Sequence, residues 1–325
     1  VPQPVFDIVR CGDDVAGCAE RIGYPCVVKP LGLAGSKGVI RVDDQQQLLA
    51  AVARLKRILA TETELHATPS EANCAAPPGN RSAQASFLIE QFVAGGEVAV
   101  EGMLRDGQLE VLAIFDKPDP LDGPFFEETI YLTPSRLPAT RQRQIAVQTQ
   151  QAVQALKLSE GPVHAELRLS ADGPVVIEVN ARSIGGKCSQ VLKFGTGWSL
   201  EELIICQALD PHADLPPRQS QPAGVMMIPT PAVGVLTEVR GLSVAEDVNG
   251  IESINIIARP GQLLIPLPEG SIYLGFIFAR GETVEQVEHA LRVAHSRLEF
   301  VIEPTGAGTA AAASLPAEDE IQDSA

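Results

Sequence analysis

The apolar residues of the first 60 positions describe a strand, a glycine-rich segment, a second strand and then a helix. Residues 24–29 and 39–42 favour β structure. After Asp44, which is placed to cap a helix, apolar residues recur at helical spacing. Residues 61–86 are small or polar with little periodicity, so we predict a flexible loop there. The predicted buried stripe of the helix consists of Leu48, Leu49, Val52, Leu55, Ile58 and Leu59.

Strand-like alternation in the middle of the chain comes in two pairs of segments, each joined by an Asp-Gly dipeptide, which is a strong hairpin signal. The pairs are 97–104 with 109–115 and 163–169 with 175–180. Between them, residues 140–158 have the apolar spacing of a helix. The pattern therefore predicts an α+β fold built from antiparallel sheets.

The last third of the chain is predicted to form a separate unit. A proline-rich stretch at 211–222 has the composition of a linker. Residues 223–302 alternate short β runs with turns and end in an amphipathic helix, which predicts a small α+β domain. Residues 303–325 are rich in Ala, Gly and acidic types and are predicted to be a disordered tail.

Charge and composition restrict the partners of the chain. The 325 residues carry a formal net charge of −16, which repels nucleic-acid phosphates and anionic lipid headgroups. The sequence contains no apolar run long enough to span a membrane. We therefore expect neither a nucleic-acid partner nor a membrane location. The six cysteines lack zinc-ligand spacing and suit a reducing compartment, which predicts a cytoplasmic protein.

The second hairpin brings together oxygen atoms that suit a metal ion. Because successive side chains of a strand point to opposite faces, Glu178 and Asn180 are expected to share a face with Glu166, and Ile177 to lie on the other. Two carboxylates and an amide oxygen suit Mg²⁺, with nucleotide phosphates completing the coordination. A solvated hairpin face would explain any one of these side chains alone, but the three together favour a metal site.

Positive groups and glycines nearby suit a phosphate. Arg182 ends the second strand, where its guanidinium can clamp a phosphoryl group, although a surface ion pair is the simpler role for such a residue. Gly185 and Gly186 would let backbone N–H groups approach an anion, which is a weak signal alone. Lys29 adds a positive charge at the end of a strand, if that strand lines the same cleft.

The glycine-rich segment lacks the spacing of a Walker loop, but its backbone amides can fold over phosphates. Its candidate residues are Gly35, Ser36, Lys37 and Gly38. The strand that begins near residue 87 can offer edge backbone groups to a flat base, and Glu97 can hydrogen-bond ribose hydroxyls. The candidate residues for the base are Glu90, Gln91, Phe92 and Val93.

Taken in order, five segments resemble the ATP-grasp superfamily: V-V-K-P, G-S-K-G, E-Q-F-V-A-G-G-E, H-A-E-L and E-V-N-A-R. The last segment, followed by Gly-Gly, and the F-F-E-E-T region are similar to the L-amino acid ligase and carnosine synthase branch. The resemblance implies an ATP-grasp domain over 1–210, in which a smaller glycine-loop lobe at about 25–93 and a larger metal-binding lobe at 94–210 hold ATP between antiparallel sheets. Residues 223–302 resemble the C-terminal domain of that branch.

This resemblance implies an ATP-dependent carboxylate–amine ligase. It would form an amide or peptide bond, on amino acids, through an acyl phosphate, and would release ADP and phosphate. ATP and Mg²⁺, with Mn²⁺ as a substitute, are the implied cofactors. Lys37 and Arg182 would act in catalysis, Lys29 would contact phosphates, and Glu97 the ribose. The implied metal ligands are Glu166, Glu178 and Asn180.

The substrates would be a small carboxylate and a small amine, and a homodimer is a fair expectation. Pocket candidates are Lys117, Glu128, His164, Gly185 and Gly186. Two alternatives stay open: a bicarbonate-activating enzyme that resembles carbamoyl-phosphate synthase or biotin carboxylase, and a truncated module that binds ATP without chemistry. The second arises because the chain starts at Val1-Pro2, where we expect the family's N-terminal α/β domain to be missing.

Overall fold

The computed structural model describes residues 1–10, 12–66, 86–211 and 213–305. A smaller lobe is built on a four-stranded antiparallel sheet with the strand order β1-β4-β2-β3. Two helices, α1 (Val15–Ile22) and α2 (Gln45–His66), pack against it through a shared apolar core. The strands are β1 (Phe6–Val9), β2 (Cys26–Pro30), β3 (Ile40–Val42) and β4 (Phe87–Gln91).

Helix α2 confirms most of the predicted stripe and corrects two details. The Asp44 carboxylate accepts a hydrogen bond from the Gln47 N–H at 2.8 Å, as expected of a helix cap. Leu48 is fully buried, whereas Leu49 is 54% exposed and does not belong to the stripe. The helix runs to His66, so the predicted loop at 61–86 is wrong for residues 61–66. Residues 67–85 lie outside the described residues.

The larger lobe is built on an eight-stranded antiparallel sheet with the strand order β12-β14-β10-β7-β6-β5-β8-β9. Both predicted hairpins are confirmed: they are the pairs β5–β6 and β8–β9. The strands are β5 (Gly96–Arg105), β6 (Gln108–Lys117), β7 (Ile130–Thr133), β8 (Gly161–Ser170), β9 (Gly173–Asn180), β10 (Ala223–Ile228), β12 (Ile251–Ile256) and β14 (Gly275–Arg280).

A small three-stranded sheet and four helices complete the described residues. The sheet has the order β13-β11-β15, and Glu303 belongs to its last strand, so the predicted tail does not begin at residue 303. Residues 306–325 of that tail lie outside the described residues. These elements are β11 (Gly234–Arg240), β13 (Leu263–Leu264), β15 (Glu299–Glu303), α3 (Ala139–Ala155), α4 (Leu200–Leu209), α5 (Leu242–Glu246) and α6 (Val284–Arg297).

The eight-stranded sheet contains strands from both sides of the predicted linker at 211–222. Strands β10, β12 and β14 come from the predicted C-terminal domain, and β10 pairs directly with β7 of the preceding part of the chain. The predicted domain therefore extends the sheet of the larger lobe with β10, β12 and β14, while its strands β11, β13 and β15 form the separate three-stranded sheet. The domain boundaries themselves stay a prediction.

The two faces of the large sheet are covered differently. Helix α3 packs on Val98 and Val100 of β5. The alternate residue Ala99 points the other way and packs in a second cluster with Phe194 and Leu203. The face that carries Ala99 also carries the polar residues described below, because they occupy the same alternate positions. None of the helices in the described ranges has both the length and the apolarity needed to cross a lipid bilayer.

Candidate active site

The pairing register brings charged residues into rows across neighbouring strands. Glu97 of β5 lies opposite both Lys117 of β6 and Arg168 of β8. Two residues after Glu97 on β5, Ala99 lies opposite Glu166 of β8. The pleat sends directly opposed side chains to one face, so the sequence pattern and the register together assemble a buried polar group.

Lys117 is the centre of this group. Its side chain is only 3% exposed, and its Nζ lies 2.5 Å from Glu97 Oε1 and 3.4 Å from Glu166 Oε1. It also donates to Glu128, whose carboxylate accepts a second hydrogen bond, at 2.8 Å, from the Tyr131 hydroxyl. Burial opposes the ammonium, but the carboxylates, Glu128 and Glu166 foremost, raise the pKa of Lys117 well above its ordinary value. One ammonium thus contacts three carboxylates, of which Glu97 is buried and Glu128 and Glu166 are half-buried.

His164 forms a second buried contact in the same sheet. Its Nδ1 lies 2.5 Å from Glu101 Oε1, and its Nε2 lies 3.1 Å from Glu166 Oε1. Burial alone would lower the pKa of His164, but the carboxylates of Glu101 and Glu166 raise it to about 9. Burial alone would likewise raise the pKa of Glu166, yet Lys117 and His164 hold it well below its ordinary value. Glu166 is therefore an ionised carboxylate in a buried position.

Arg168 fixes the other oxygen of Glu97. Its Nε lies 3.0 Å from Glu97 Oε2, and its remaining nitrogens donate to the carbonyls of Gly95, at 2.8 Å, and Leu121. The guanidinium carbon lies 5.3 Å from the centre of the Phe92 ring, within the range of a cation–π contact. Arg168 thus connects Glu97 to the ring of Phe92.

A cleft between the four-stranded sheet and the eight-stranded sheet opens onto these residues. The smaller lobe contributes Lys29 and Ser36, and the larger lobe contributes Glu128. Ten of the predicted site residues line the cleft: Lys29, Ser36, Glu90, Gln91, Phe92, Val93, Glu97, Glu128, Glu166 and Glu178. The structure therefore brings together residues that are up to 149 positions apart in the chain, from Lys29 to Glu178.

One end of the cleft is aromatic and suits a flat ring. The rings of Phe92 and Phe126 are 6.3 Å apart, and the guanidinium of Arg41 lies 4.3 Å from the Phe92 ring. The amide of Gln91 donates to Val5 O at 2.8 Å and that of Phe92 to Pro25 O at 3.1 Å. Those two N–H groups are thus engaged within the lobe. Burial raises the pKa of the nearby Glu90 carboxyl above its ordinary value.

The glycine-rich loop contributes Ser36 to the lining of the cleft. Gly35, Ser36 and Gly38 all have positive φ values, of 64°, 57° and 75°. Gly38 is buried so closely that a Cβ there would lie 2.9 Å from Leu55 Cδ1. Lys37 is not among the described residues that line the cleft, because its side chain turns to α2, where its Nζ lies 2.6 Å from Glu62 Oε1.

The predicted metal ligands are distributed over two strands. Glu166 and Glu178 are directly paired across β8 and β9 and both line the cleft. The Lys29 ammonium is 3.6 Å from Glu178 Oε2, and Asn180 Nδ2 donates to Glu178 Oε1 at 2.8 Å. A different trio, Glu97, Glu128 and Glu166, has carboxylate oxygens within 4.8 Å of one another. Glu166 belongs to both sets, which makes it the central oxygen donor of the cleft.

A register shift corrects the predicted faces of β9. Between Glu166 and Leu167 the pairing jumps from Glu178 to Val176, which leaves Ile177 as an extra residue. Val176 therefore packs in the apolar core, and Ile177 lines the cleft beside Glu178. The prediction placed Ile177 on the apolar face and is wrong. Bulges of this kind commonly re-aim side chains next to active sites.

The remaining predicted residues lie outside the cleft in this structure. Arg182 is exposed and donates to the neighbouring Ser183 O at 2.9 Å. Gly185 and Gly186 are exposed, and a Cβ at Gly186 would lie 3.3 Å from Met227 Sδ. His164 contacts two carboxylates inside the sheet instead of facing the cleft.

The sequence interpretation missed several site residues. Strand alternation was an available signal for both Arg168 and Glu101, because Arg168 shares a face with Glu166 and Glu101 shares a face with Glu97. Leu121 and Phe126 line the cleft from a loop; Phe126 belongs to the F-F-E-E-T segment but was given no role, and no local pattern marked Leu121. Their positions depend on long-range packing, which a single sequence does not report.

Comparison with known proteins agrees with this geometry. The model of the ATP-grasp domain family matches residues 22–191, which is more than half of the 325 residues. The chain belongs to the ATP-grasp family. The model of L-amino acid ligase C-terminal domain 2 matches residues 226–303 of this ATP-grasp protein.

Individual relatives of this ATP-grasp protein include named ligases. The alanine–anticapsin ligase of Bacillus subtilis (strain 168) is 28% identical over 220 residues, covering 63% of this chain and 43% of that protein. Carnosine synthase 1 of Gallus gallus is 29% identical over 213 residues, covering 65% and 22%. The chain therefore spans less than half the length of these two relatives.

A solved structure extends the similarity to nearly the whole chain. The L-amino acid ligase of Bacillus licheniformis superposes with a TM-score of 0.73 at 29% identity, covering 93% of this chain and 69% of that one. This coverage confirms the predicted fold, in which two α+β lobes enclose a cleft and a ligase-type C-terminal region follows.

Proposed function

We propose that the protein is an ATP-dependent carboxylate–amine ligase. In the proposed reaction an oxygen of a substrate carboxylate attacks the γ-phosphorus of ATP, and ADP leaves to give an acyl phosphate. The nitrogen of an amine then attacks the acyl carbon, phosphate leaves with the electron pair of the C–O bond, and the amine loses a proton. The observation that carries the proposal is the direct pairing of two carboxylates, Glu166 and Glu178, on the wall of a cleft that is also lined by Lys29 and by Ser36 of the glycine-rich loop.

The nucleotide would lie along the cleft between the sheets. Phe92 and Phe126 would enclose the adenine, and Glu97, which Lys117 and Arg168 hold in one position, would accept hydrogen bonds from the ribose hydroxyls. Lys29 and the backbone amides of the glycine-rich loop would meet the phosphates. Lys37 would contribute after release from Glu62, with which it is now paired.

The donor set fits a divalent cation such as Mg²⁺ or Mn²⁺. Glu166, Glu178 and Asn180 supply hard oxygen atoms on adjacent positions of two paired strands. When bound, the cation would neutralise phosphate charge during phosphoryl transfer. Glu128 lies close enough to Glu166 to join the set. Arg182, at the end of β9, would turn toward the acyl phosphate once substrates are present.

Amino acids are the proposed substrates. The support is the match of residues 226–303 to the L-amino acid ligase C-terminal domain, together with the names of the ligase relatives. A bicarbonate-activating reaction lacks this C-terminal support. The identity of the two amino acids would depend on the pocket beyond the γ-phosphate.

The test is ADP release from Mg-ATP by the 325-residue chain, supplied with pools of amino acids or with bicarbonate. We expect release that depends on amino acids and not on bicarbonate. Glu178→Ala should lower turnover at least ~10²-fold, as for the loss of one transition-state stabiliser, whereas Glu110→Ala, at an exposed position of β6, should leave it unchanged. ATP binding without ADP release from any pool would instead favour a binding module.

A further inference from the structure

A turn from the C-terminal region lies directly on the glycine-rich loop. The Gly38 N–H donates to Pro268 O at 2.9 Å. A Cβ at Gly35 would lie 3.4 Å from Ser271 Cβ. The Gly270 N–H donates to Pro266 O at 2.9 Å and closes the turn on itself. We call residues 266–271 the clasp.

An ion pair between α2 and the clasp supports this contact. Arg54 of α2 donates from Nε to Glu269 Oε1 at 2.5 Å and from its terminal nitrogen to Oε2 at 2.8 Å. Its guanidinium carbon also lies 4.9 Å from the Phe125 ring. A two-point Arg–carboxylate pair restricts both distance and orientation. The next residue of α2, Leu55, is the side chain against which Gly38 is packed.

The clasp is anchored to the large sheet on its other side. The Thr230 hydroxyl, in a residue that is 3% exposed, donates to Ile272 O at 2.8 Å. The Leu274 N–H donates to Ile228 O, also at 2.8 Å. The chain that follows the clasp is therefore fixed to the end of β10, so the position of the clasp follows that of the eight-stranded sheet.

We propose that the clasp, through the Arg54–Glu269 pair and the Pro268–Gly38 hydrogen bond, positions the glycine-rich loop for phosphate binding. Three of the seven residues of this loop, 32–38, adopt positive φ values. Without the clasp, nucleotide binding itself would have to order the loop, and the cost would reduce the binding free energy. The clasp supplies that order in advance and ties it to the region that matches the ligase C-terminal domain. Arg54 and Glu269 are thus positioning residues. This inference rests on the proposed function, because it assumes that the loop meets the phosphates.

The experiment measures the dissociation constants of two ligands with the full 325-residue chain: the non-hydrolysable analogue AMP-PNP with Mg²⁺, and adenosine, which has no phosphates. The variants are Glu269→Gln, Arg54→Gln and the double variant. Each single substitution should weaken AMP-PNP binding about 2- to 5-fold, as for the loss of one partly exposed ion pair, and should leave adenosine binding unchanged. The double variant should bind AMP-PNP no more weakly than the weaker single variant, because the two residues act through one contact.

Glu252→Gln is the matched control. Glu252 pairs with Arg280 at 2.8 Å and is exposed to nearly the same extent as Glu269, 44% against 41%, but its partner lies on β14, away from the loop. Unchanged AMP-PNP affinity in Glu269→Gln, or an equal loss in Glu252→Gln, would overturn the proposal. Equal losses for adenosine and AMP-PNP would also overturn it, since they would indicate general destabilisation. If the unmodified chain binds adenosine as tightly as AMP-PNP, the phosphate site itself fails, and with it the proposed function.

Discussion

The imidazole of His164 lies 2.5 Å from the carboxylate of Glu101, and the two side chains face each other across β5 and β8. The second oxygen of Glu101 accepts a hydrogen bond from the Ile184 N–H at 3.1 Å, two residues after Arg182. The second nitrogen of His164 reaches Glu166 at 3.1 Å. One buried pair therefore connects a proposed metal ligand to the backbone beside the proposed phosphate-binding arginine.

This connection predicts a specific effect of His164→Asn on metal binding. Histidines and carboxylates behind a metal ligand orient it, and their loss typically weakens metal binding about 10- to 100-fold. We expect a loss of about 10-fold in Mn²⁺ affinity in the presence of AMP-PNP, measured by electron paramagnetic resonance. His289→Asn, at an exposed position of α6, should bind Mn²⁺ like the unmodified chain. Equal Mn²⁺ affinity in both variants would refute this orienting role.

Lys117→Met should destabilise the fold strongly. The substitution removes the ammonium that contacts Glu97, Glu128 and Glu166. Glu97 keeps Arg168 and Glu166 keeps His164, but the buried end of the Glu97 ion pair and the Glu128 carboxylate lose their ammonium. Breaking a buried ion pair in this way costs about 3 to 5 kcal/mol. Urea unfolding at pH 7 measures the loss, with Lys56→Met at an exposed position of α2 as the control. A loss below about 1 kcal/mol, the range of surface pairs, would contradict the central place of Lys117.

Gly38→Ala tests the backbone of the glycine-rich loop. Gly38 has a φ of 75°, and an added Cβ would lie 2.9 Å from Leu55 Cδ1. The left-handed conformation alone costs about 1 to 2 kcal/mol for a residue with a side chain, so we expect at least that loss of stability and weaker AMP-PNP binding. Gly32→Ala is the matched control, because a Cβ at Gly32 meets no atom within 4 Å and its φ is not positive. Similar melting temperatures for the two variants would count against this view of the loop.

The contribution of His295 to stability should fall in mild acid. Burial on α6 lowers the pKa of His295 below its ordinary value of 6.5. The unfolded chain therefore binds a proton at this histidine at a higher pH than the folded protein does, and folding loses free energy as the pH falls below about 6.5. The loss between pH 7 and pH 5 should be smaller in His295→Gln than in the unmodified chain, as measured by urea unfolding. An identical pH dependence in the two proteins would exclude this contribution.

Local signals predicted the elements that depend on neighbouring residues. The Asp-Gly dipeptides at 106 and 172 correctly located the turns of both hairpins, since few other residues adopt these turn conformations. The capping box of Ser199 and Glu202 at the start of α4 matches the S-x-x-E pattern that marks helix starts in a sequence. In both cases the deciding interaction lies within four residues of the chain.

Features that depend on distant contacts could not be predicted in the same way. Lys117 and Glu166 meet only because β5 lies between their strands, and nothing near either residue reports that pairing. The bulge that turns Ile177 toward the cleft interrupts a regular alternation without a glycine or proline to mark it. The sequence therefore identified most residues that line the cleft, but not the ion pairs that Lys117 and Arg168 form with them.

The eight-stranded sheet limits how this protein can be divided or recombined. Strand β7 starts two residues after Glu128 and is held between β6 and β10, so the C-terminal third of the chain supports the backbone that carries a cleft carboxylate. Removal of the chain after the 211–222 segment would leave β7 with an open edge and would expose Phe115 and Tyr131, which share an apolar cluster with Phe276 and Phe278. A chimera that exchanges this third between related proteins would thus require strands β7 and β10 that still pair with each other. Junctions of such chimeras should therefore not separate these two strands.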